Sequence, residues 1–211
     1  MNDLLLWQYI LIALIFVWSG FVRSGLGFGG SVLSLPLLLL VDNSPLVYLP
    51  LICIHLLFFS SITVWQSHKA KQLAIANGEL NAESTVDWGY LGKALKIMII
   101  PKMIGVFGLL TLPANLMTGI IFCIISVYAV SYIINKPFTS NNKYVDGVFL
   151  MLGGYVSGTS LIGAPLLVSV FASHVAKHRL RDTLFVLWFI LVSIKLAAFI
   201  IAGVDLHLIH H

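Results

Sequence analysis

The sequence predicts an all-α polytopic membrane protein, and three observations carry that prediction. Of its 211 residues, 59% are hydrophobic and 9% charged, whereas soluble domains average about 25% charged. The mean hydropathy is +1.01. The apolar residues gather in runs of roughly bilayer length, and the basic residues are confined to alternate connections between them.

A helix rises about 1.5 Å per residue, so about 20 apolar residues cross a ~30 Å hydrocarbon core. On that rule the spans fall near 4–22, 25–41, 46–66, 90–112, 115–135, 145–157, 160–173 and 183–204. The first has no Lys or Arg before it and no small-residue cleavage pattern after it, so it reads as a retained helix. Spans 25–41, 145–157 and 160–173 are short. They read either as half-helices of re-entrant hairpins or as tilted pieces. The segment from His68 to Asp87 mixes charges, alanines and an Asn77-Gly78 turn signal, and it reads as a short amphipathic helix lying on the membrane face. Cys53 and Cys123 lie in apolar runs, where thiols behave as small hydrophobes, and this argues against a disulfide.

Loops 67–89, 136–144 and 174–182 share one side, whether the short spans cross singly or return as hairpins. With the adjacent helix ends they hold Lys69, Lys71, Lys93, Lys96, Lys136, Lys143, Lys177, Arg179 and Arg181. The loops near 42–45 and 113–114 hold no Lys or Arg. The positive-inside rule therefore predicts cytoplasmic basic loops and a periplasmic N-terminus.

One stretch stands against the helical pattern. Residues 24–36 read SGLGFGGSVLSLP, with Arg23 just ahead and Gly25, Gly27, Gly29 and Gly30 within it. Glycine costs a helix interior about 1 kcal/mol relative to alanine, so four of them predict a break. Residues 157–169, SGTSLIGAPLLVS, echo the stretch: Ser-Gly, a small-residue cluster, then a proline and two leucines. An odd number of spans separates the two copies, so they run in opposite directions. The expectation is an inverted repeat of transmembrane helices with glycine-broken helices, the first repeat over 1–135 and the second over 136–211. The second is shorter by a pair of spans and reads as incomplete. Inverted repeats interrupted at corresponding positions point to a transport site.

Irregular backbone survives in hydrocarbon only when buried in protein or lining a cavity. Helices restarting near Ser31 and near Ala164 would aim free N–H groups into the gap and favour an anion. Ser24, Ser31, Ser157, Thr159 and Ser160 add hydroxyls. Gly25, Gly27, Gly29, Gly30, Gly158 and Gly163 let other atoms approach the backbone closely. Arg23 at the break, with His55, Lys102 and Lys195 deep in spans, are ionisable groups where such groups are costly. All eight acids lie in loops or at span ends. The candidate substrate-binding residues are therefore these serines, Thr159 and glycines, together with Arg23, His55 and Lys195. Structural readings stay open beside this one. Arg23 could snorkel to the interface, Lys102 and Lys195 could bond backbone carbonyls, His55 could be an interior hydrogen-bonded ring, and the glycines could serve helix packing.

Other classes find little support. Gly25, Gly27 and Gly30 match G-x-G-x-x-G in letters, but their flanks are membrane spans rather than a strand and a helix. No Walker A, G-x-S-x-G or H-E-x-x-H sequence occurs. No block of like charge suggests nucleic acid. His207, His210 and His211 have no third-ligand context, so neither a metal nor another cofactor is expected.

The break followed by proline and leucine, repeated once, resembles the TauE/SafE family of sulfite exporters. The spacing of Gly105 and Gly108 and the basic segment from His68 to Lys71 are also similar to that family, and the resemblance covers roughly residues 10–205. It implies a secondary transporter in a bacterial inner membrane, exporting sulfite or an organosulfonate such as sulfoacetate, with a homodimer as one assembly it allows. The expected partners are a small anionic substrate and the lipid bilayer. An anion channel on the same scaffold is the alternative. A membrane-embedded enzyme is a weaker one, since no acid is placed to orient His55, the one histidine deep in a span.

Overall fold

The computed structural model describes residues 5–26, 30–77, 84–136, 138 and 142–204. Among these, all regular structure is helical: α1 (Leu6–Leu26), α2 (Gly30–Val41), α3 (Pro45–Ala76), α4 (Trp88–Thr111), α5 (Ala114–Ile133), α6 (Lys143–Ser160), α7 (Ala164–His174) and α8 (Lys177–Ile201). Five of them, α1, α3, α4, α5 and α8, are long and apolar enough to cross a membrane. Phe21, Leu40, Ile100, Phe107, Ile133 and Ile201 stand exposed on the outside of the bundle. So much outward apolar surface suits lipid rather than water, and the chain is an all-α polytopic membrane protein.

The short segments are re-entrant. Gln8 Nε2, near the start of α1, donates to Val41 O at the end of α2 (3.2 Å), so the α1–α2 pair returns to its starting end. His174 Nε2 lies 3.2 Å from Asp146 Oδ2, which joins the end of α7 to the start of α6 in the same way. The two hairpins enter from opposite ends. At one end, Asn43 Nδ2 donates to Asn115 Oδ1 (2.8 Å) and Thr118 Oγ1 donates to Asn43 Oδ1 (2.6 Å), tying the two cation-free turns together. At the other, Asp87 N donates to Thr183 Oγ1 (3.0 Å), and the Tyr90 and His174 rings stack 5.0 Å apart. The basic residues singled out in the loops belong to this second end.

Several boundaries differ from the sequence reading. The α3 helix has 32 residues and runs on to Ala76, so the basic segment after residue 66 is its continuation and not a separate helix on the membrane face. At about 1.5 Å per residue such a helix outruns a ~30 Å core, and lysine, glutamine and alanine favour its extension into the aqueous layer. The start of α8 likewise reaches back to Lys177, taking in basic residues read as loop. Side-chain caps start two of the helices. Asp87 Oδ1 accepts from Tyr90 N (2.9 Å) before α4, and Asn142 Oδ1 accepts from Tyr144 N (3.1 Å) before α6.

Two packing groups result. One centres on α1, α2, α3, α5 and part of α8, around Leu35, Leu38, Tyr48, Ile52, Val192 and Phe199, and takes in Leu161 and Ile162 from the break between α6 and α7. The other holds α4, α6, α7 and part of α8, with Leu184, Leu187 and Trp188 packed against Leu91, Met98 and Leu167; within it α4 and α6 lie unusually close. Glycines make that approach feasible. A Cβ on Gly158 would strike Lys102 O, one on Gly105 would strike Tyr155 O, and one on Gly154 would come within 2.8 Å of Met98 O. These contacts are with rigid backbone, so a side chain there must push the helices apart. Gly158→Leu should therefore abolish the monodisperse folded protein on fluorescence-detected size-exclusion chromatography. Gly92→Leu, where nothing lies within 4 Å of the added Cβ, should leave it intact.

Candidate functional site

The tips of the two hairpins meet midway between the ends. Ser31 Oγ, in the first turn of α2, donates to Leu161 O in the break between α6 and α7 (2.8 Å). Leu161 has φ 61°, in the left-handed region that a leucine rarely adopts. It is buried, and the bond from Ser31 fixes its carbonyl. The sequence places glycines around this turn, yet a leucine takes the left-handed position. Gly163 is the cap before α7, and a Cβ on it would come 2.5 Å from Gly153 O, so this glycine is needed for the close approach of the two arms.

Beside this junction lies a small cavity of about 20 Å³, lined by Arg23, Ser31, Leu56, Ser157, Leu161, Ala164, Trp188 and Val192. Arg23 is 3% exposed. Its Nη2 donates to Ser60 Oγ (2.6 Å), and its guanidinium carbon lies 5.5 Å from the Phe185 ring centroid. Arg181 lies 5.8 Å from the same centroid, so one ring is flanked by a buried and an exposed cation. Arg23 thus sits in the interior and does not snorkel.

Two further cations are fully buried. Lys102 Nζ donates to Ser157 Oγ (3.3 Å), which places a positive charge directly behind a cavity-lining hydroxyl. Lys195 Nζ donates to Thr159 O (3.1 Å) and lies 5.6 Å from the Phe199 ring centroid. The last carbonyls of a helix lack intrahelical donors and carry the negative end of its dipole, so Lys195 serves as a charged cap for α6. Among the described residues the only carboxylate in an ion pair is Asp146, with His174 at the basic end. Arg23, Lys102 and Lys195 have none.

The structure gathers Arg23, Ser31 and Ser157 at the cavity, with Gly30 adjoining. A Cβ on Gly30 would lie 2.9 Å from Ser19 Oγ, in the contact between α1 and α2. Other candidates lie elsewhere. Gly158 is in the α4–α6 contact. The hydroxyls of Thr159 and Ser160 bond back to Val156 O (3.1 and 3.0 Å). His55 packs between Phe16 and Phe59 (ring centroids 5.6 and 4.7 Å). Ser24 and Gly25 belong to the last turn of α1, with their surroundings outside the described residues, as are Gly27, Gly29 and the three terminal histidines. A larger recess of about 780 Å³ opens at the basic end beside Trp65, Lys71 and Phe189, and it reaches none of the three buried cations.

Sequence reasoning passed over Ser60, Phe185 and Trp188. For Trp188 a signal existed. Membrane tryptophans concentrate at the interfaces, and this one stands near the middle of α8, where it is 8% exposed.

Opposed re-entrant hairpins meeting at a buried cationic cavity are the architecture of an α-helical membrane transporter, in which broken helices supply the solute site. The family model for the sulfite exporter TauE/SafE family matches residues 11–210, and the chain belongs to that family. No curated protein and no solved structure matches it.

If Lys195 caps α6, Lys195→Met leaves the Thr159 carbonyl without its donor at a buried helix end. The expected loss is about 1–3 kcal/mol, read as a lower Tm of the detergent-purified protein. A Tm at or above wild type would remove Lys195 from that structural role.

Proposed function

We propose that this protein is a secondary transporter exporting a small sulfur oxyanion, sulfite or an organosulfonate such as sulfoacetate, across the bacterial inner membrane. The observation that carries the proposal is the set of three buried cations around the hairpin junction with no carboxylate partner among the described residues. A cation pathway or carboxylate proton relay would need the opposite arrangement. An anion entering the cavity meets the Arg23 guanidinium, the Ser157 hydroxyl backed by Lys102, and the N-terminus of α7 at Ala164. Family membership supports the same reading.

A cavity of about 20 Å³ holds roughly one water and no sulfite, so the substrate enters only when the walls part. The walls come from two groups of elements: Arg23, Ser31, Leu56, Trp188 and Val192 from α1, α2, α3 and α8, and Ser157, Leu161 and Ala164 from the second hairpin. Alternating access on this reading separates those groups, breaking the Ser31–Leu161 and Lys195–Thr159 hydrogen bonds. The closed cavity favours a carrier over an open anion channel. The inverted repeat relates the two hairpins, and the basic end faces the cytoplasm with the N-terminus opposite.

The deciding experiment is thermal stabilisation of the purified protein across sulfite, sulfate, sulfoacetate, acetate, phosphate and several cations. A ligand binding only the folded state adds about 2.7 kcal/mol at a hundred times Kd. Sulfur oxyanions should raise the Tm in a concentration-dependent way and cations should not. Arg23→Gln should fold with a similar Tm in the absence of anion, yet bind sulfite about tenfold or more weakly, because it loses a charge-assisted donor. Unchanged affinity would take Arg23 out of the site. Failure of every anion to stabilise wild type would overturn the transport reading itself.

A further inference from the structure

The recess at the basic end has no part in the transport reading. At about 780 Å³ it falls within the roughly 300–1,000 Å³ that small-molecule sites occupy. One wall is a stripe of α3, Ser61, Val64, Trp65, His68 and Lys71, spaced three and four residues apart so that they share a helix face. The rise from Ser61 to Lys71 is about 15 Å, half of a ~30 Å hydrocarbon core and so the depth of one leaflet. A second wall is α8, which runs the other way, and the third is the stretch from Ser84 to Trp88. Polarity is graded along this depth. Val64, Val186, Phe189 and Ile190 lie inward, whereas His68, Lys71 and Asp182 lie toward the basic end. Ser61, deep in the recess, donates its proton to Leu57 O (2.8 Å).

Trp65 and Trp88 frame the recess at 63% and 61% exposure. Exposed tryptophans mark the level at which a membrane protein meets lipid headgroups. An apolar trough one leaflet deep, with its polar end at that level, has the shape of a lipid site. The charges define the headgroup. Lys71 and Asp182 line the same space from different helices, yet among the described residues neither stands in an ion pair. The neighbouring groups are engaged elsewhere: His68 is bonded to Gln72 (3.0 Å), and the Ser84 hydroxyl turns to Val86 O (2.9 Å). Lys69 stands over Trp65 and Arg181 over Phe185, and neither lines the recess. A ligand that matches both free charges carries an anionic and a cationic group close together above an apolar tail. A purely anionic lipid sets a like charge against Asp182. A soluble anion leaves the apolar depth to water.

We propose that this recess binds an aminophospholipid of the leaflet at the basic end: one acyl chain lies along Val64, Val186, Phe189 and Ile190, the phosphate meets Lys71, and the primary ammonium meets Asp182. A primary ammonium donates hydrogen bonds to a carboxylate and a quaternary one has none to give, so Asp182 separates ethanolamine from choline headgroups. The site is distinct from the cavity between the hairpins, and the proposal does not rest on the transport reading. A lipid seated here braces α3 against α8, the pair that holds Arg23 through Ser60 and Phe185.

The test uses full-length protein, delipidated in detergent and offered an equimolar mixture of palmitoyl-oleoyl phosphatidylethanolamine, phosphatidylglycerol and phosphatidylcholine. Native mass spectrometry counts the adducts. Wild type should retain phosphatidylethanolamine about fivefold or more over either competitor. Asp182→Asn, nearly isosteric, should reduce that preference below about twofold while lipid binding persists. Lys71→Gln should lower retention of all three lipids about fivefold, and Lys71→Arg should restore it. Lys69→Gln, beside the recess but outside its lining, should change retention less than about twofold. Equal retention of the three lipids by wild type, or an unchanged preference in Asp182→Asn, would overturn the headgroup assignment. Retention unaffected by Lys71→Gln would overturn the site. A second copy of the chain is the competing occupant. Should Ser67→Cys, in a chain with Cys53 and Cys123 changed to Ala, crosslink to its counterpart while no lipid is retained, the recess is a contact between copies and the proposal falls. None of these outcomes depends on anion binding, so the transport reading stands or falls separately.

Discussion

No water is available in a hydrocarbon core to satisfy the end of a broken helix, and the architecture around residues 157–164 follows from that constraint. The α6 helix stops at Ser160 and α7 begins at Ala164, so carbonyls at the end of the first and N–H groups at the start of the second have no intrahelical partners. Donors arrive from outside the hairpin. Ser31 reaches Leu161 O from the opposing hairpin, and Lys195 reaches Thr159 O from α8. In this closed arrangement the first hairpin and α8 therefore stabilise the second break. Satisfying its backbone forces the two hairpin tips together at mid-depth.

Close helix approach supplies the other half of the framework. Gly105 and Gly158 bring the α4 and α6 backbones together, and Lys102 leaves α4 within this contact to reach Ser157. On the other side, α3 and α8 pack along their lengths and hold Arg23 between Ser60 and Phe185. Elements distant in sequence are thus paired, α4 with α6 and α3 with α8.

How far the site was legible in the sequence depends on the kind of signal. The positions of the breaks were readable because glycine, serine and proline interrupt an apolar pattern, and the helices restart at Gly30 and Ala164 accordingly. Arg23, Ser31 and Ser157 were readable as polar groups beside those breaks, and the structure brings them to one cavity. Direction was not readable. Gly158 faces a neighbouring helix, the Thr159 and Ser160 hydroxyls turn back to their own helix, and His55 packs between phenylalanines. Rotation about a helix axis depends on partners that one chain segment does not specify. Trp188 comes from α8, far from either motif in sequence, and only tertiary packing sets it beside Arg23. Leu161 shows the reverse case: a residue with no local preference for a left-handed backbone is held there by burial and by the bond from Ser31.

Burying an unpaired charge costs several kcal/mol, even after relaxation. The protein offsets part of this at Arg23 and Lys195 with aromatic faces, and at all three cations with neutral acceptors: Ser60, Ser157 and Thr159. A carboxylate would offset more, yet the described carboxylate in an ion pair is at the basic end with His174. Leaving the cations without acids keeps the local potential positive, and in a low-dielectric setting that potential acts strongly on an arriving anion. A permanently paired site would be more stable and would bind anions poorly. The cavity also lies where α1, α2, α3, α8 and the second hairpin meet. On the proposed transport reading, the electrostatic gain from an anion falls where both hairpins, α3 and α8 meet, so binding there would be coupled to any movement of these elements.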